Sequence, residues 1–429
     1  MPEDLEIEIS LTNNRPSAAN LRKQTHASPD HRPPTADNRL VVEDAPDDRY
    51  SRLKLIPWWD QELLRKARVM VVGAGAIGNE LLKNLALLGV GRLFIVDMDK
   101  IENSNLSRSV LYRAKDEGRF KAQVAAERCS DLNPDVKAQP LIGNISYDVG
   151  LGVFRAMDVV LGGLDNREAR LNINMSCWKV SRPFIDGAIE VLHGIARVFT
   201  PPDSACYECT MNEMDFQLLN QRRSCALLSR EELLTGKVPT TPTTSSVIAG
   251  IQTQEAVKLL HQREDLPTLA GKGFFFNGLT HDSYVVEYPR KEFCLSHETY
   301  EHITETPLSA QTTTLRQALQ LAKDALGPDA VLEFGREMVK SLNCGHCQTE
   351  ETVFQQLGKV SHTRGLCPSC GQMRVPELTH SVAGGEPFLD LTLSRAGVPD
   401  FDIITARLGM ETRHFELTGD RDKTLGIVK

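Results

Sequence analysis

Apolar residues in the first half of the chain fall into short continuous runs, separated by segments with helical spacing. The runs Val69–Val72 and Leu93–Val96 are typical of strands buried on both faces. Between them, Ile77, Leu81 and Leu85 recur every four residues, which predicts a helix with one buried face. The same alternation predicts further strands at Gln139–Ile142, Val159–Leu161, Phe184–Asp186 and Ile195–Phe199, and helices at Lys121–Leu132 and Arg167–Val180. Alternating strands and helices indicate an α/β fold with a doubly wound, Rossmann-like parallel sheet.

The pattern changes after about residue 200. A helix is predicted at Ser245–Gln262, and Phe274–Asn277 and Ser283–Tyr288 are predicted to be antiparallel strands that close the sheet. A polar helix is predicted at Ala310–Leu326. The predicted organisation is a disordered segment or docking arm over residues 1–45, a doubly wound domain over 46–300 with a long crossover over 201–244, a helical linker over 301–339, a cysteine module over 340–376, and a small α+β piece over 377–429.

Charge and composition exclude several classes of protein. The formal net charge of −8 argues against nucleic acid as the main partner. The first residues, MPEDLEIEIS, are acidic and lack the basic start of a signal peptide, and no apolar run is long enough to span a membrane. We therefore expect a cytoplasmic protein, and in such a protein ten cysteines indicate metal binding and catalysis rather than disulfides.

A glycine-rich turn joins the first predicted strand to the first amphipathic helix. Gly73, Gly75 and Gly78 let the backbone approach a phosphate closely, and the helix N-terminus supplies N–H donors and a positive dipole. The second strand ends in Asp97-Met-Asp99, where an acidic residue suits a ribose hydroxyl. This fingerprint alone fits any protein that uses NAD, FAD or ATP.

Charged residues after these strands narrow the choice of ligand. Asn105, Arg108 and Lys121 place two cations and an amide just past the acidic strand end. A triphosphate needs such cations because they neutralise the charge that develops during attack on phosphorus, whereas a nicotinamide does not. Asp165 follows the apolar run Val159–Leu161, and a carboxylate at the carboxyl end of a strand can hold Mg²⁺.

These features together resemble the ThiF/MoeB/ubiquitin-activating superfamily of adenylating enzymes, over about Tyr50 to Pro289. The sequence GAGAIGNELLKNLALLGVG, followed by DMDKIENSNLSR, is most similar to the active adenylation half of ubiquitin-activating enzymes. The resemblance implies a fold of the ThiF/E1 adenylation type. It also implies the following site: a phosphate turn of Gly73, Gly75 and Gly78, a ribose contact at Asp99, phosphate contacts at Asn105, Arg108 and Lys121, a Mg²⁺ ligand at Asp165, and an arginine, Arg52, that enters the partner subunit's site. Ser109 stands where the family has a glutamine.

The implied reaction is ATP-dependent adenylation of the C-terminal carboxylate of a ubiquitin-like protein. The acyl group would then pass to an enzyme cysteine as a thioester, and on to a conjugating enzyme. A single adenylation unit implies a homodimer. One alternative is activation of a sulfur-carrier protein with a C-terminal glycine, without a thioester. Others are an NAD-dependent oxidoreductase, supported by the glycine fingerprint alone, and a non-catalytic scaffold that binds a ubiquitin-like protein.

Two pairs of cysteines in the C-terminal half have the spacing of a zinc ribbon. Cys344 and Cys347 form one C-x₂-C pair and Cys367 and Cys370 another, with 19 residues between the pairs. Four thiolates would hold a structural Zn²⁺ tetrahedrally. The following piece, Leu389–Ile404, resembles part of a ubiquitin-like β-grasp fold.

A second zinc site is implied by the family resemblance. Cys206 and Cys209 form a C-x₂-C pair in the crossover, and Cys294 and His297 form a C-x₂-H pair after the last strand. In the resembled family two C-x₂-C pairs at these places share one zinc. Here the second pair is C-x₂-H, and imidazole can replace a thiolate as ligand. In the same crossover, Cys225 follows two arginines that favour a thiolate, and it is the candidate nucleophile.

Overall fold

The computed structural model describes residues 48–217 and 239–429. Residues 48–51 form a small turn in which Asp48 N–H donates to Ser51 Oγ at 2.8 Å. One compact unit begins at Arg52 and contains every helix and strand named below. No helix in the described ranges is both long and apolar enough to cross a bilayer.

The first sheet has eight strands, in the order β3-β2-β1-β4-β5-β6-β7-β8. Its strands are β1 (Arg68–Val72), β2 (Arg92–Val96), β3 (Lys137–Leu141), β4 (Val159–Gly162), β5 (Phe184–Glu190), β6 (His193–Phe199), β7 (Lys272–Asn277) and β8 (Asp282–Glu287). The first five strands pair in parallel, and β5 to β8 pair antiparallel. The predicted Rossmann-like sheet is confirmed, including the antiparallel strands that close it.

Helices cover both faces of this sheet. They are α1 (Gln61–Lys66), α2 (Ala76–Leu87), α3 (Lys121–Leu132), α4 (Leu151–Ala156), α5 (Arg167–Lys179) and α6 (Pro242–His261). Val69 and Val71 of β1 belong to one core with α2, α3 and α6, whereas Met70 and Val72 belong to a second core with α4 and α5. Burial on both faces explains why the strand sequence is a continuous apolar run.

A six-stranded sheet forms the rest of the unit, with order β11-β10-β13-β14-β9 and β12 beside β10. Its strands are β9 (Ile303–Thr306), β10 (Val331–Cys344), β11 (Thr349–Gln356), β12 (Val375–Val382), β13 (Ile403–Leu408) and β14 (Glu411–Leu417), with helices α7 (Leu315–Leu326), α8 (His362–Gly365) and α9 (Arg421–Leu425). Residues 301–339, predicted to be a helical linker, contribute β9, α7 and the first residues of β10. The helix predicted from Ala310 begins at Leu315, because Thr314 and Gln317 form a capping box.

The second sheet packs against the α4 and α5 side of the first sheet. Phe401 and Ile403 are buried in the core that also holds Met70 and Val72. Polar contacts fix the same interface: Asp402 Oδ1 accepts from Leu151 N at 2.7 Å, and the Arg336 guanidinium donates to two carbonyl oxygens that precede α4. This side is the opposite face from the one that α2, α3 and α6 cover.

Candidate active site and metal centres

Two of the three glycines in the turn between β1 and α2 occupy positions that only glycine can fill. Gly73 has φ +88°, and a Cβ there would lie 2.7 Å from Gly163 O. A Cβ on Gly78 would lie 1.8 Å from Gly73 O, so the helix starts in direct contact with the turn. A Cβ on Gly75, by contrast, would have no heavy atom of the described residues within 4 Å other than those of Gly75 and its two chain neighbours. The turn is therefore closed on its inner side and open on its outer side.

An acidic pair lies at the carboxyl end of β2, next to this turn. Asp97 Oδ2 accepts from Ala74 N at 2.7 Å, and Asp97 Oδ1 accepts from Asp99 N at 2.8 Å. Burial raises the pKa of Asp97, although Lys121 and the two backbone donors oppose that shift. The ribose contact is predicted at Asp99, and this stays a prediction. Asp97 lies directly after the strand, at the position of the acidic residue in Rossmann folds, and it braces the turn and Asp99 through their backbone N–H groups.

The predicted phosphate-binding Lys121 contacts the acidic pair. Lys121 begins α3, and its Nζ lies 3.1 Å from Asp99 Oδ2. The Lys121 side chain is mostly buried, whereas half of the Asp99 side chain is exposed. A phosphate that reaches this position would compete with Asp99 for the ammonium group, because both are anions.

The loop over residues 103–112 carries the other two predicted phosphate contacts. Asn105 is buried, and its Oδ1 accepts from Glu102 N at 3.0 Å. Arg108 Nη1 donates to Ser104 O at 2.6 Å. Asn105 thus shapes the loop with its oxygen, and Arg108 is held beside it. Ser109, the departure from the family pattern, is buried at the same loop.

Asp165 lies at the carboxyl end of β4, on the neighbouring strand. Parallel pairing places Val72 opposite Gly162, and Gly163 N donates to Val72 O at 2.9 Å. Asp165 is exposed two residues further on, and Asn166 caps α5 by accepting from two backbone N–H groups. The glycine turn, the acidic pair and Asp165 therefore share one edge of the sheet, formed by the carboxyl ends of β1, β2 and β4.

A buried charged group beneath this edge was not anticipated from the sequence. Asp186 is fully buried between two guanidinium groups: Arg170 Nε lies 3.0 Å from its Oδ1 and Arg197 Nη2 lies 2.6 Å from its Oδ2. Arg170 also donates to Leu164 O and Gly187 O, so it fixes the loop that carries Asp165. In the sequence, this pair could have been noticed because each of two apolar strands contains one charged residue near its middle. The antiparallel register of β5 and β6 places these two residues, Asp186 and Arg197, directly opposite each other.

Four predicted metal ligands meet at the end of the first sheet. The ligand atoms of Cys206, Cys209, Cys294 and His297 all lie within 4.8 Å of one another. Cys206 Sγ lies 3.5 Å from Cys294 Sγ, and Cys209 Sγ lies 3.4 Å from His297 Nε2. Tetrahedral Zn²⁺ with Zn–S bonds of about 2.3 Å needs sulfur atoms roughly 3.8 Å apart, so the donor set fits that ion. The His297 ring stacks on Trp178 at 4.9 Å, which fixes its orientation.

The second predicted ligand set lies at the tip of the second sheet. The sulfur atoms of Cys344, Cys347, Cys367 and Cys370 lie within 4.8 Å of one another. Cys344 ends β10, and its Sγ lies 3.6 Å from Cys370 Sγ. A backbone hydrogen bond from Ser369 lowers the pKa of Cys367 to about 6, which favours the thiolate form that binds metal. The cluster could hold a metal ion, and a zinc ribbon remains its predicted identity.

A model of the ThiF family matches residues 48–296, which is more than half of the chain. The chain belongs to the ThiF family. A relative from Thermus thermophilus, a sulfur carrier protein adenylyltransferase, is 37% identical over 170 residues, covering 38% of this chain and 63% of that protein. The SAMP-activating enzyme E1 of Haloferax volcanii is 33% identical over 256 residues, covering 58% of this chain and 87% of that protein. A crystal structure of E. coli MccB with succinimide has a TM-score of 0.49 at 22% identity, covering 58% of this chain and 74% of that one.

Two predicted site residues of this ThiF-family chain, Arg52 and Cys225, have no described contact with the groups at the sheet edge. Arg52 is exposed before a short helical turn, Leu53–Leu55. The following residues are anchored at the end of α6, where His261 Nε2 accepts from Asp60 N at 3.0 Å and the His261 ring contacts Trp58. Cys225 lies outside the described residues. The site thus brings together the predicted turn, Asp99, Lys121, the loop with Arg108, and Asp165.

Proposed function

We propose that this protein is an ATP-dependent adenylyltransferase that activates the C-terminal carboxylate of a ubiquitin-like or sulfur-carrier protein. The observation that carries the proposal is the convergence of three features at one sheet edge: the open face of the glycine turn, the cations Arg108 and Lys121, and the exposed Asp165. Membership of the ThiF family and the names of both curated relatives support it.

Each group has a role in this reaction. The triphosphate lies over Gly75, where the turn is open, and Arg108 and Lys121 neutralise its charge. The acidic pair Asp97 and Asp99 binds the ribose hydroxyls. Asp165 would hold Mg²⁺, which would neutralise phosphate charge. An oxidoreductase would leave these cations and Asp165 without a role.

The chemistry is attack on phosphorus by a carboxylate. One oxygen of the substrate carboxylate forms a bond to the α-phosphorus of ATP, and the bond from that phosphorus to the bridging oxygen of pyrophosphate breaks. Pyrophosphate leaves with the electron pair, and the acyl group is now joined to AMP, which is a good leaving group. Positioning and charge neutralisation supply most of the rate in such a transfer.

Transfer to a cysteine is the finer part of the proposal. The Cys225 thiolate attacks the acyl carbon, the bond from that carbon to the AMP oxygen breaks, and AMP leaves, giving a thioester. A conjugating enzyme would then take the acyl group onto its own cysteine. The relative from Thermus thermophilus is named as a sulfur carrier protein adenylyltransferase, which supports the alternative in which adenylation is the end point.

ATP–pyrophosphate exchange tests the adenylation step. Wild-type protein mixed with candidate carrier proteins should exchange label between pyrophosphate and ATP, and Asp165→Ala should lose at least roughly 100-fold of this rate, as expected when a metal ligand is removed. Asp265→Ala is the matched control, because this exposed aspartate follows α6 rather than a strand of the candidate site and pairs with Arg263, two residues away. Wild-type exchange in Asp165→Ala would remove Asp165 from the site.

Gel analysis of the acylated enzyme tests the cysteine step. Cys225→Ala should still catalyse exchange and should lose a carrier adduct that thiol reductants cleave. Cys225→Ser should give an adduct that resists reductants, because an oxygen ester replaces the thioester. If wild-type protein forms no adduct while exchange is normal, the chain adenylates without thioester transfer.

A further inference from the structure

One buried polar side chain in the first turn of α2 contacts two separate parts of the candidate active site. Asn79 is fully buried. Its Nδ2 donates to Ala74 O at 2.7 Å and to Gly75 O at 3.0 Å, both in the glycine turn. Its Oδ1 accepts from Leu111 N at 2.9 Å, at the end of the loop that carries Arg108.

The orientation of this amide group follows from its partners. Leu111 N–H can only donate and the two carbonyl oxygens can only accept, so the oxygen of Asn79 must face the loop and its nitrogen must face the turn. Tyr112, the next residue of the loop, adds a second contact, because its hydroxyl donates to Ala74 O at 2.7 Å. The loop and the turn are therefore joined through one carbonyl group, that of Ala74.

These bonds decide where a neighbouring donor points. The peptide between Ala74 and Gly75 is planar and trans, so its C=O and N–H point in opposite directions. Since Ala74 O is held towards Asn79 and Tyr112, Gly75 N–H is directed away from them, towards the open side of the turn. Ala74 N–H is fixed in turn by Asp97 at 2.7 Å. Both backbone polar groups of Ala74 are therefore fixed, the N–H by Asp97 and the C=O by Asn79 and Tyr112.

We propose that Asn79 is a positioning residue of the nucleotide site, assisted by Tyr112. It holds Gly75 N–H ready to donate to the triphosphate, and it keeps the loop with Arg108 in register with the glycine turn. The proposal rests on the proposed function, because it assumes that ATP binds at this turn. Asn79 itself touches no substrate, since it is fully buried beneath the turn.

Binding of Mg·ATP by titration calorimetry tests the proposal without requiring catalysis. Asn79→Ala should weaken ATP affinity by roughly 10- to 100-fold, the loss expected when one hydrogen bond to a charged phosphate group is weakened. Tyr112→Phe should have a smaller effect, because Ala74 O keeps the bond from Asn79. The double variant should lose more than the product of the single effects, since Ala74 O then has neither donor. In exchange assays, the KM for ATP should rise while the KM for the carrier protein stays unchanged.

A matched control separates positioning from general destabilisation. Asn133 is also fully buried, donates to Ala86 O at 2.8 Å and accepts from Asp135 N at 3.1 Å, at the far end of α3. Asn133→Ala should lower thermal stability by a similar amount and leave ATP affinity unchanged.

Two results would overturn the positioning role. One is wild-type ATP affinity in both Asn79→Ala and the double variant, and the other is an equal loss of affinity in Asn133→Ala. If the wild-type protein binds ATP as described but shows no exchange, the proposed function fails while the role of Asn79 stands. If the wild-type protein does not bind ATP, both fail.

Discussion

Two alanine substitutions in the glycine turn separate folding from nucleotide binding. At Gly75 the backbone is extended with φ −79°, outside the left-handed region that favours glycine, and the added methyl meets no described heavy atom within 4 Å apart from those of Gly75 and its two chain neighbours. Gly75→Ala should therefore fold. Alanine is a poorer N-cap than glycine, which costs up to about 1 kcal/mol, and the reduced entropy of the unfolded chain offsets about 0.4–1 kcal/mol of that.

Gly78→Ala places the same methyl group against the backbone. The new Cβ would lie 1.8 Å from Gly73 O and 2.8 Å from Gly73 C, so the turn or the helix must move by more than 1 Å. Forcing an extra methyl into a packed site costs about 1–3 kcal/mol, and the upper end applies because a backbone carbonyl cannot rotate away. A loss of about 3 kcal/mol lowers the melting temperature by roughly 6–12 °C in a domain of this size.

Thermal unfolding and ATP titration on both variants give the test. Gly75→Ala should melt within about 3 °C of wild type and bind ATP at least roughly 10-fold more weakly, because the methyl occupies the space assigned to phosphate. Gly78→Ala should lose both stability and affinity. A Gly75→Ala protein that binds ATP like wild type would show that the open side of the turn does not face the triphosphate.

Three further predictions concern the metal clusters, the second sheet and subunit exchange. Elemental analysis should find about two zinc ions per chain, and His297→Ala or Cys370→Ala should each lower the content to about one; wild-type content of one ion would remove one of the two sites. Burial lowers the pKa of His414 from 6.5 to about 4, so as the pH falls the unfolded chain is protonated at this residue before the folded protein, and stability decreases between pH 6.5 and 4. The melting temperature of His414→Phe should depend less on pH in that range. An unchanged pH dependence would refute the assignment. Arg52→Ala should lose activity and keep its oligomeric state, and mixing it with Asp165→Ala should restore part of the activity, since one site of a mixed dimer is complete; a monomeric wild type would contradict this arrangement.

The elements with one strong periodicity were predictable from the sequence. The prediction for α3 matches its observed ends, Lys121–Leu132, and β1 begins one residue before its predicted start. These segments are buried against both neighbouring layers or along one helix face, so their apolar pattern has a single structural interpretation. The start of α7 was misplaced, although Thr314 and Gln317 carry the capping signal in the sequence.

The second sheet was harder to predict because its strands do not carry a uniform pattern. β9 has four residues, Ile303–Thr306, of which only Ile303 is apolar, so no alternation of apolar and polar side chains marks it in the sequence. β10 runs for 14 residues, but its partners change along its length and its register shifts between Val339 and Ser341. Its two faces therefore exchange roles within one strand, which removes the period of two that identifies a strand.

Some parts of the candidate site were likewise predictable from the sequence, and others were not. Glycines at fixed spacing and cysteine pairs are local signals, and the structure brings the predicted members of each together. The pairing of Asp186 with Arg197 depends on the register of β5 and β6, and the link from Asn79 to Leu111 depends on how the loop folds over α2. Contacts between segments distant in sequence need the folded backbone, and spacing alone does not supply it.

Oxygen isotope transfer is the most direct test of the central claim, which is that a carboxylate attacks the α-phosphorus of ATP. A carrier protein with ¹⁸O in its C-terminal glycine carboxylate is incubated with the wild-type protein, Mg·ATP and a thiol acceptor, and the released AMP is examined by mass spectrometry. The account predicts AMP with one ¹⁸O atom, because the bridging oxygen of the acyl adenylate comes from the carboxylate and leaves with AMP. Unlabelled AMP, or ADP with labelled phosphate, would contradict it, since either would mean that the carboxylate does not attack the α-phosphorus.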